Sequence, residues 1–354
     1  MKIIRVRKKV RETKIDFRHR MMAEFAKDEK EMNIRIVQID GKLPNLALMA
    51  ISAFHRRKGD EIHFTRDVER GLFEPEYGAV YASCIFQFAK HRLDRLMMAF
   101  PQAIVGGTGS FTTRTVEDVI GDERQLDYSL YPDFKGSIGF TQRGCRLSCK
   151  FCVVPQKEGK NRSVRTIPEI WRGEGHPKHL HLLDNDFFGQ PREQWQARIA
   201  EIQAGKFRVC LNQGINVRLI DEEAAAALAS IEYRDDQFQE RRLYTAWDNL
   251  RDEGIFFAGI DKLEKAGIPP KNVMAYMLIG YDIAETWDRI WHRFNRMVER
   301  GIRPYPMVYN RSRVDLLSWQ RWVLTGLYRI IKWDEYKRST KSAESVEAYE
   351  RSVA

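Results

Sequence analysis

The sequence predicts an α/β protein: a small Rossmann-like domain followed by a partial (β/α)6 parallel barrel. Three observations lead there. Short runs of strand length recur along the chain, one of them, Ala79–Phe86, nearly all apolar as in a strand covered on both faces. Helical patterns fall between them. A polar, turn-rich stretch from Gly121 to Lys135 divides the alternation into two series. With 354 residues, each series can build its own core.

The resulting division is a basic N-terminal arm (1–31), a Rossmann-like domain (32–120), a linker (121–135), the barrel (136–310) and a C-terminal helical extension (311–354). In the first domain Ile34–Ile39 is the opening strand. Leu46, Met49, Ala50, Ala53 and Phe54 fall on one helical face, and Lys58-Gly59-Asp60 stops that helix. Glu61–Phe64 and Ala79–Phe86 are the next strands. A helix follows from about Lys90 to Phe100, then the strand Ala103–Val105, which Gly106-Gly107-Thr108-Gly109 ends. In the second series the strands are Ser137–Thr141, Lys178–Leu183, Phe207–Leu211, Arg242–Trp247, Val273–Ile279 and Tyr305–Tyr309. Their spacing leaves room for one helix between each pair, for example Ala224–Ile231 and Trp287–Arg300. Six such units suit a partial barrel, with chemistry at the C-terminal ends of the strands. Trp319–Lys332 reads as an amphipathic helix burying Trp322, Leu327 and Ile330, and Ser339–Ala354 as a frayed tail.

Composition excludes several classes. No apolar stretch approaches the roughly 20 residues of a membrane span, and the basic N-terminus lacks the apolar segment of a secretory signal. Five cysteines, an odd number in a long chain, argue against a disulfide framework and for a reducing, cytoplasmic setting. Cys84 and Cys210 lie inside apolar strands and read as core thiols.

The other three form Cys145-Arg-Leu-Ser-Cys149-Lys-Phe-Cys152, at the end of the first barrel strand. Thiolates so close repel one another unless a metal neutralises them. Tetrahedral zinc wants a fourth ligand, absent locally, although His176, His179 and His181 lie elsewhere in the chain. A [4Fe–4S] cluster on three cysteines leaves one iron open. Three structural cysteines remain the plain alternative.

The C-x3-C-x2-C spacing, with Phe151 before the last cysteine, resembles the radical S-adenosylmethionine superfamily. The resemblance covers roughly residues 136–310 and implies the same partial barrel. It implies that Cys145, Cys149 and Cys152 hold a [4Fe–4S] cluster whose fourth iron chelates S-adenosylmethionine. Reductive cleavage then gives a 5′-deoxyadenosyl radical that abstracts hydrogen from a substrate, with an electron donor such as flavodoxin or ferredoxin. Where the family binds the methionine amine, this chain has Asp184-Asn185-Asp186 without the usual glycines; helix N-capping is the alternative role. In the polar run after the third strand, Asn212 is a candidate cofactor contact. Arg218 could grip the methionine carboxylate or make an ordinary salt bridge. Asp248, with Trp247 and Asn249, could meet ribose or substrate, and Gly280 lies where the family brings backbone close to adenine. Tyr276 and Ile283 replace the first and last residues of the adenine motif. Lys157 or Glu158 could touch substrate, or belong to a solvated loop.

The first domain resembles the cobalamin-binding domains that precede many such barrels. Its loop, Asp40-Gly41-Lys42-Leu43-Pro44-Asn45, carries lysine where the family's axial histidine stands. A protonated lysine is no cobalt ligand, so the expectation is a degenerate domain that has lost cobalamin; binding without a protein ligand stays open. Gly106–Gly109 could alternatively cradle a phosphate.

The net charge is +10. Residues 1–30 carry eleven Lys/Arg against five Asp/Glu, and 303–341 carry nine against three with tyrosines and tryptophans interleaved. Such segments suit phosphate pairing and base stacking, and equally solvated faces over an aromatic core. Three functions follow as candidates: a radical enzyme modifying a nucleic acid or nucleotide, one acting on a peptide or small metabolite, and a non-enzymatic iron–sulfur protein.

Overall fold

A computed structural model describes residues 31–112, 114–121 and 125–339. The expected basic arm (residues 1–30) and most of the expected frayed tail (340–354) lie outside the described residues. The protein is α/β with parallel sheets, and the chain divides into two compact units, Met1–Phe134 and Lys135–Ala354.

In the first unit β1 (Asn33–Gln38), β2 (Glu61–Thr65), β3 (Ala79–Ser83) and β4 (Ile104–Gly106) form a parallel sheet in the order β2-β1-β3-β4. Helix α1 (Leu46–Arg57) connects β1 to β2, its Asn45 cap accepting from Leu48 N–H, and α2 (Lys90–Ala99) connects β3 to β4. Alternate strand residues feed two cores. Ile34, Ile36 and Tyr81 pack with Leu48 and Met49; Val37, Ile39 and Ala82 pack with Leu93 and Leu96.

Two segments of this unit are more tightly packed than their composition suggests. Within the expected linker, the described residues 125–134 belong to the first unit. Leu130 and Tyr131 are buried in the first core, and the Tyr131 hydroxyl donates to Gln38 Oε1 (2.7 Å) while accepting from Asn45 N–H (3.1 Å). The segment's polar composition concealed that one tyrosine closes a buried network. The glycines of the run Gly106–Gly109 have a packing role of their own. Gly107 (φ +94°) and Gly109 press against the backbone of Cys84 and Phe86, where any Cβ would collide, and Gly109 N–H donates to Cys84 O (2.9 Å).

The second unit contains all six expected strands: β5 (Ser137–Gly139), β8 (His179–Leu182), β9 (Arg208–Leu211), β11 (Leu243–Ala246), β12 (Val273–Ile279) and β13 (Arg303–Val308). They lie in two parallel sheets, in the orders β9-β8-β5 and β11-β12-β13. The break has a local cause. A two-residue strand, β10 (Glu232–Tyr233), takes the free edge of β9, so β9 reaches β11 only past its end, where Ile215 N–H donates to Tyr244 O (2.8 Å). The short strands β6 (Gln142–Arg143) and β7 (Arg162–Ser163) form a separate antiparallel pair.

One side of these sheets is aliphatic. After the one-turn helices α3 (Glu117–Ile120), α4 (Val154–Lys157) and α5 (Ile167–Ile170) come four longer ones, α6 (Arg192–Gly205), α7 (Glu222–Ala229), α8 (Glu253–Lys265) and α9 (Trp287–Glu299), which join one core with Leu180, Val209, Leu243, Val273 and Met277. The other side is aromatic and polar: Cys210, Phe238 and Tyr244 cluster there, with Tyr276 stacked on Tyr244. The expected helix over Trp319–Lys332 is instead α10 (Val314–Leu324), ended before Gly326 (φ +75°), a one-turn 3-10 segment at Leu327–Arg329, and α11 (Trp333–Ser339). Trp319 and Trp322 are buried, Leu327 is half-buried, and Ile330, expected inside, is 81% exposed. This C-terminal segment completes the core of the second unit through Leu316, Trp319, Trp322 and Tyr336. Among the described residues no helix is long and apolar enough to cross a membrane.

Candidate active site

The three-cysteine loop begins where β5 ends. The β6–β7 pair closes its base, and Gly144 (φ +81°) turns the chain so tightly against Lys160 that only glycine fits. Glu158, at the end of the one-turn helix Val154–Lys157, accepts from Gly144 N–H (3.1 Å) and from Asn185 Nδ2 (2.7 Å), and pairs with Arg143 at 3.2 Å. Within the loop, Leu147 N–H donates to Cys145 Sγ (3.4 Å) and Cys152 N–H to Cys149 O (2.9 Å). All three thiols are half-buried. Burial chiefly raises the pKa of Cys145. The Leu147 N–H opposes this, while charge on Asp186, Cys152 and Cys149 adds to it. Burial raises Cys152 as well, with Cys149, Asp248 and Glu158 contributing. Charge on Cys149 therefore disfavours ionisation of Cys145 and Cys152, a cost that a bound cation removes.

The triplet after β8 is divided among structural tasks. Asp184 is buried and accepts from Thr141 N–H (2.7 Å), Gln142 N–H (3.1 Å) and the Thr141 hydroxyl, tying β8 to the end of β5. Burial pushes its carboxyl up to about 7, against those three hydrogen bonds. Asn185 is held by Glu158. Asp186, also buried, receives both Nε (2.7 Å) and Nη2 (3.0 Å) of Arg146. Asn212 is likewise engaged: its Oδ1 meets His181 Nδ1 (3.1 Å), and its carbonyl accepts from the Tyr276 hydroxyl (3.0 Å). His179 stacks on Phe238 (4.4 Å), and His181 meets the same ring edge-on.

A cavity of about 690 Å³ opens beside the loop, walled by Cys149, Phe151, Arg218, Asp248, Tyr281 and Arg293 among others. Three strand ends and the cysteine loop therefore converge, bringing together Cys149, Phe151, Arg218 and Asp248 of the sequence-predicted set. Gly280 is adjacent: its N–H donates to Glu285 Oε2 (2.7 Å), its φ is +73°, and a Cβ would meet Leu316. Arg218 donates to Asp252 Oδ2 (2.7 Å); burial works against its charge, but Asp252 and the adjacent Cys149 raise its pKa. Phe151 meets Tyr281 edge-on at 5.6 Å.

Among the wall residues that the sequence reading did not name are Asp252, Glu285 and Arg293. Arg293 is 1% exposed and donates to the carbonyls of Trp247 (3.1 Å), Asp248 (2.9 Å) and Leu278 (3.1 Å), and it pairs with Glu285. Burial lowers its pKa, against Glu285 and Asp248. One signal was available. Arg293 interrupts the apolar stripe Ile290, Phe294, Met297 of α9, and an arginine on a core face needs a buried partner. Asp248 accepts from Leu278 N–H (3.0 Å), and burial raises its pKa.

Among the described residues, no three His, Cys, Asp or Glu side chains are already gathered into a metal-binding group. The donor chemistry nonetheless fits a thiolate-held cluster: three half-buried thiols on one loop, a guanidinium at Cys149, and a cavity on the open side. Ligation would require the thiols to turn toward a common centre. Compared with known proteins, the chain matches no protein-family model and no curated protein.

Proposed function

We propose that this chain is a radical S-adenosylmethionine enzyme whose second unit is a partial (β/α)6 barrel. The observation that carries the reading is the half-buried Cys145–Cys149–Cys152 loop at the end of the first strand, with Cys149 in the wall of the cavity. The sequential strand order, all parallel and joined at Ile215–Tyr244, supports the barrel.

Cys145, Cys149 and Cys152 would hold a [4Fe–4S] cluster, reduced by an external donor such as flavodoxin or ferredoxin. When bound, the cluster supplies the electron that cleaves S-adenosylmethionine to a 5′-deoxyadenosyl radical, the species that takes hydrogen from substrate. The chain's own residues bind and orient. Arg218, held by Asp252, presents a guanidinium suited to a carboxylate. Arg293 fixes the carbonyls of Trp247, Asp248 and Leu278, which keeps the cavity wall rigid. Phe151, Tyr281 and Leu278 supply apolar surface that excludes water.

The first unit reads as a degenerate cobalamin-type domain. Lys42 stands at the ligand position, and Asp40 is committed to the N–H groups of Ile85 and Phe86 (2.8 Å each). A nucleic acid or nucleotide is the proposed substrate class, supported by the net charge of +10 and its concentration toward both chain ends. A reducing, cytoplasmic setting belongs to the same proposal.

The test is anaerobic reconstitution with iron and sulfide, followed by S-adenosylmethionine and a reductant. Wild type should form 5′-deoxyadenosine and Cys149→Ala none. Equal product from both, or none from a cluster-loaded wild type, overturns the assignment.

A further inference from the structure

We propose that Asp186 and Arg146 form a clasp that presets the cysteine loop, making both positioning residues rather than contacts for S-adenosylmethionine. The inference rests on the radical reading of the same loop. Arg146 directly follows Cys145. Asp186 takes Arg146 by its side chain, through Nε and Nη2, and also by its backbone N–H (3.3 Å). A carboxylate that holds one residue at both points fixes its backbone as well as its side chain, and so fixes the direction in which Cys145 leaves β6. The carboxylate is 1% exposed while the guanidinium is 37% exposed, so the anchor is the buried partner and the loop is what it holds.

The surroundings are built for this contact. Asp186 N–H donates to Gln142 Oε1 (2.9 Å), and Gln142 Nε2 donates to the carbonyls of Arg143 and Gly144 (2.7 Å each) and to Asn161. Asn161 Nδ2 returns to Asp186 Oδ2 (3.4 Å). Asp186 thus grips the loop directly after its first cysteine and, through Gln142, directly before it. An independent feature protects the arrangement: a Cβ at Gly189 would collide with both Asn161 Nδ2 and Asp186 Oδ2. Gly189 keeps open the space in which the clasp closes.

The experiment uses the full chain, iron-free and reconstituted, as wild type, Asp186→Asn, Arg146→Lys, their double variant and Gly189→Ala. In iron-free protein, alkylation of Cys145 by iodoacetamide is followed against buried Cys84 and Cys210. Each single variant should speed Cys145 labelling several-fold by local opening, with Cys84 and Cys210 unmoved and the double variant no faster than the singles. In reconstituted protein the same variants should lose roughly tenfold or more in iron affinity, as when a group that orients a ligand is removed. Arg146→Lys keeps the charge but loses the two-point grip, so it should fail with the others.

Unchanged Cys145 labelling in the variants overturns the clasp. So does labelling that rises equally at all three cysteines, which reports global unfolding. A variant Asp186→Asn that loads iron normally but no longer changes its electron paramagnetic resonance signal with S-adenosylmethionine makes Asp186 a cofactor contact instead. A wild type that takes no cluster removes the radical reading, while the labelling result still decides the clasp.

Discussion

Asp184 shows how one buried carboxyl can set a pH dependence. Its folded pKa, raised to about 7, lies above the ordinary carboxylate range, so the unfolded chain ionises first. Its contribution is fully present below about pH 4, declines as pH rises to about 7, and stays lost above that. Asparagine mimics the protonated form: its carbonyl can accept from the N–H groups of Thr141 and Gln142, and its amide can donate to the Thr141 hydroxyl. Asp184→Asn should therefore match wild type near pH 3 and be more stable at pH 8, by up to about 4 kcal/mol. Melting curves at the two pH values check this; a variant less stable at pH 8 would mean the charged form is favoured. The same triplet marks the limit of reading residues from sequence. Position after β8 identified Asp184, Asn185 and Asp186 as polar groups near the cysteines. It could not identify their partners, because Thr141, Glu158 and Arg146 lie 27 to 43 residues away in the chain. The cysteines were legible because their ligand-like pattern is contained in eight consecutive residues.

At the scale of elements, strands declared themselves where one face is buried and the other half-buried, which makes a continuous apolar run, as in Val273–Ile279, which is β12 residue for residue. The two-residue strands β6, β7 and β10 have no such run, and they are what shape the cysteine loop and divide the sheet. The C-terminal helices were misplaced because Gly326 breaks a periodic stretch that otherwise continues. What α10 contributes is a wedge of rings: Trp319 contacts Trp287, Trp291 and Phe294 edge-on, at centroid distances of 5.4 to 6.1 Å. Fully buried tryptophan in such a cluster should cost about 3–5 kcal/mol when truncated. Trp319→Ala should lower the denaturant midpoint accordingly. Ile330→Ala, at an 81% exposed position predicted as core by periodicity alone, should leave it within about 0.5 kcal/mol. Comparable losses at both sites would place the two residues in one core, as the uninterrupted helix expected.

For the whole molecule, the excess charge and the candidate site occupy different parts of the chain. Residues 1–30 carry a net +6 and 303–341 another +6, which leaves −2 for the remainder of a chain whose total is +10. The cavity wall mixes both signs, Lys150, Arg218, Arg251, Arg289 and Arg293 beside Asp248, Asp252, Asp282 and Glu285, so the site itself has no strong excess. The tryptophans interleaved with the C-terminal cations are largely interior, Trp319 and Trp322 being buried, and are unavailable for base stacking. If a nucleic acid is the substrate, its phosphates are therefore held by the basic ends through charge, with little sequence preference. Binding of a labelled single-stranded oligonucleotide should weaken steeply with salt, and each phosphate neutralised by residues 1–30 adds roughly 0.7 to the log–log slope. Deleting those residues should flatten the slope while leaving 5′-deoxyadenosine formation without substrate intact, since no cysteine or cavity residue is removed. A slope that survives the deletion assigns the contacts to residues 303–341, where Arg303→Gln and Arg311→Gln become the next variants. Absent or salt-insensitive binding of the intact chain rules out the nucleic-acid polymer and leaves a free nucleotide or another small substrate to the same cavity.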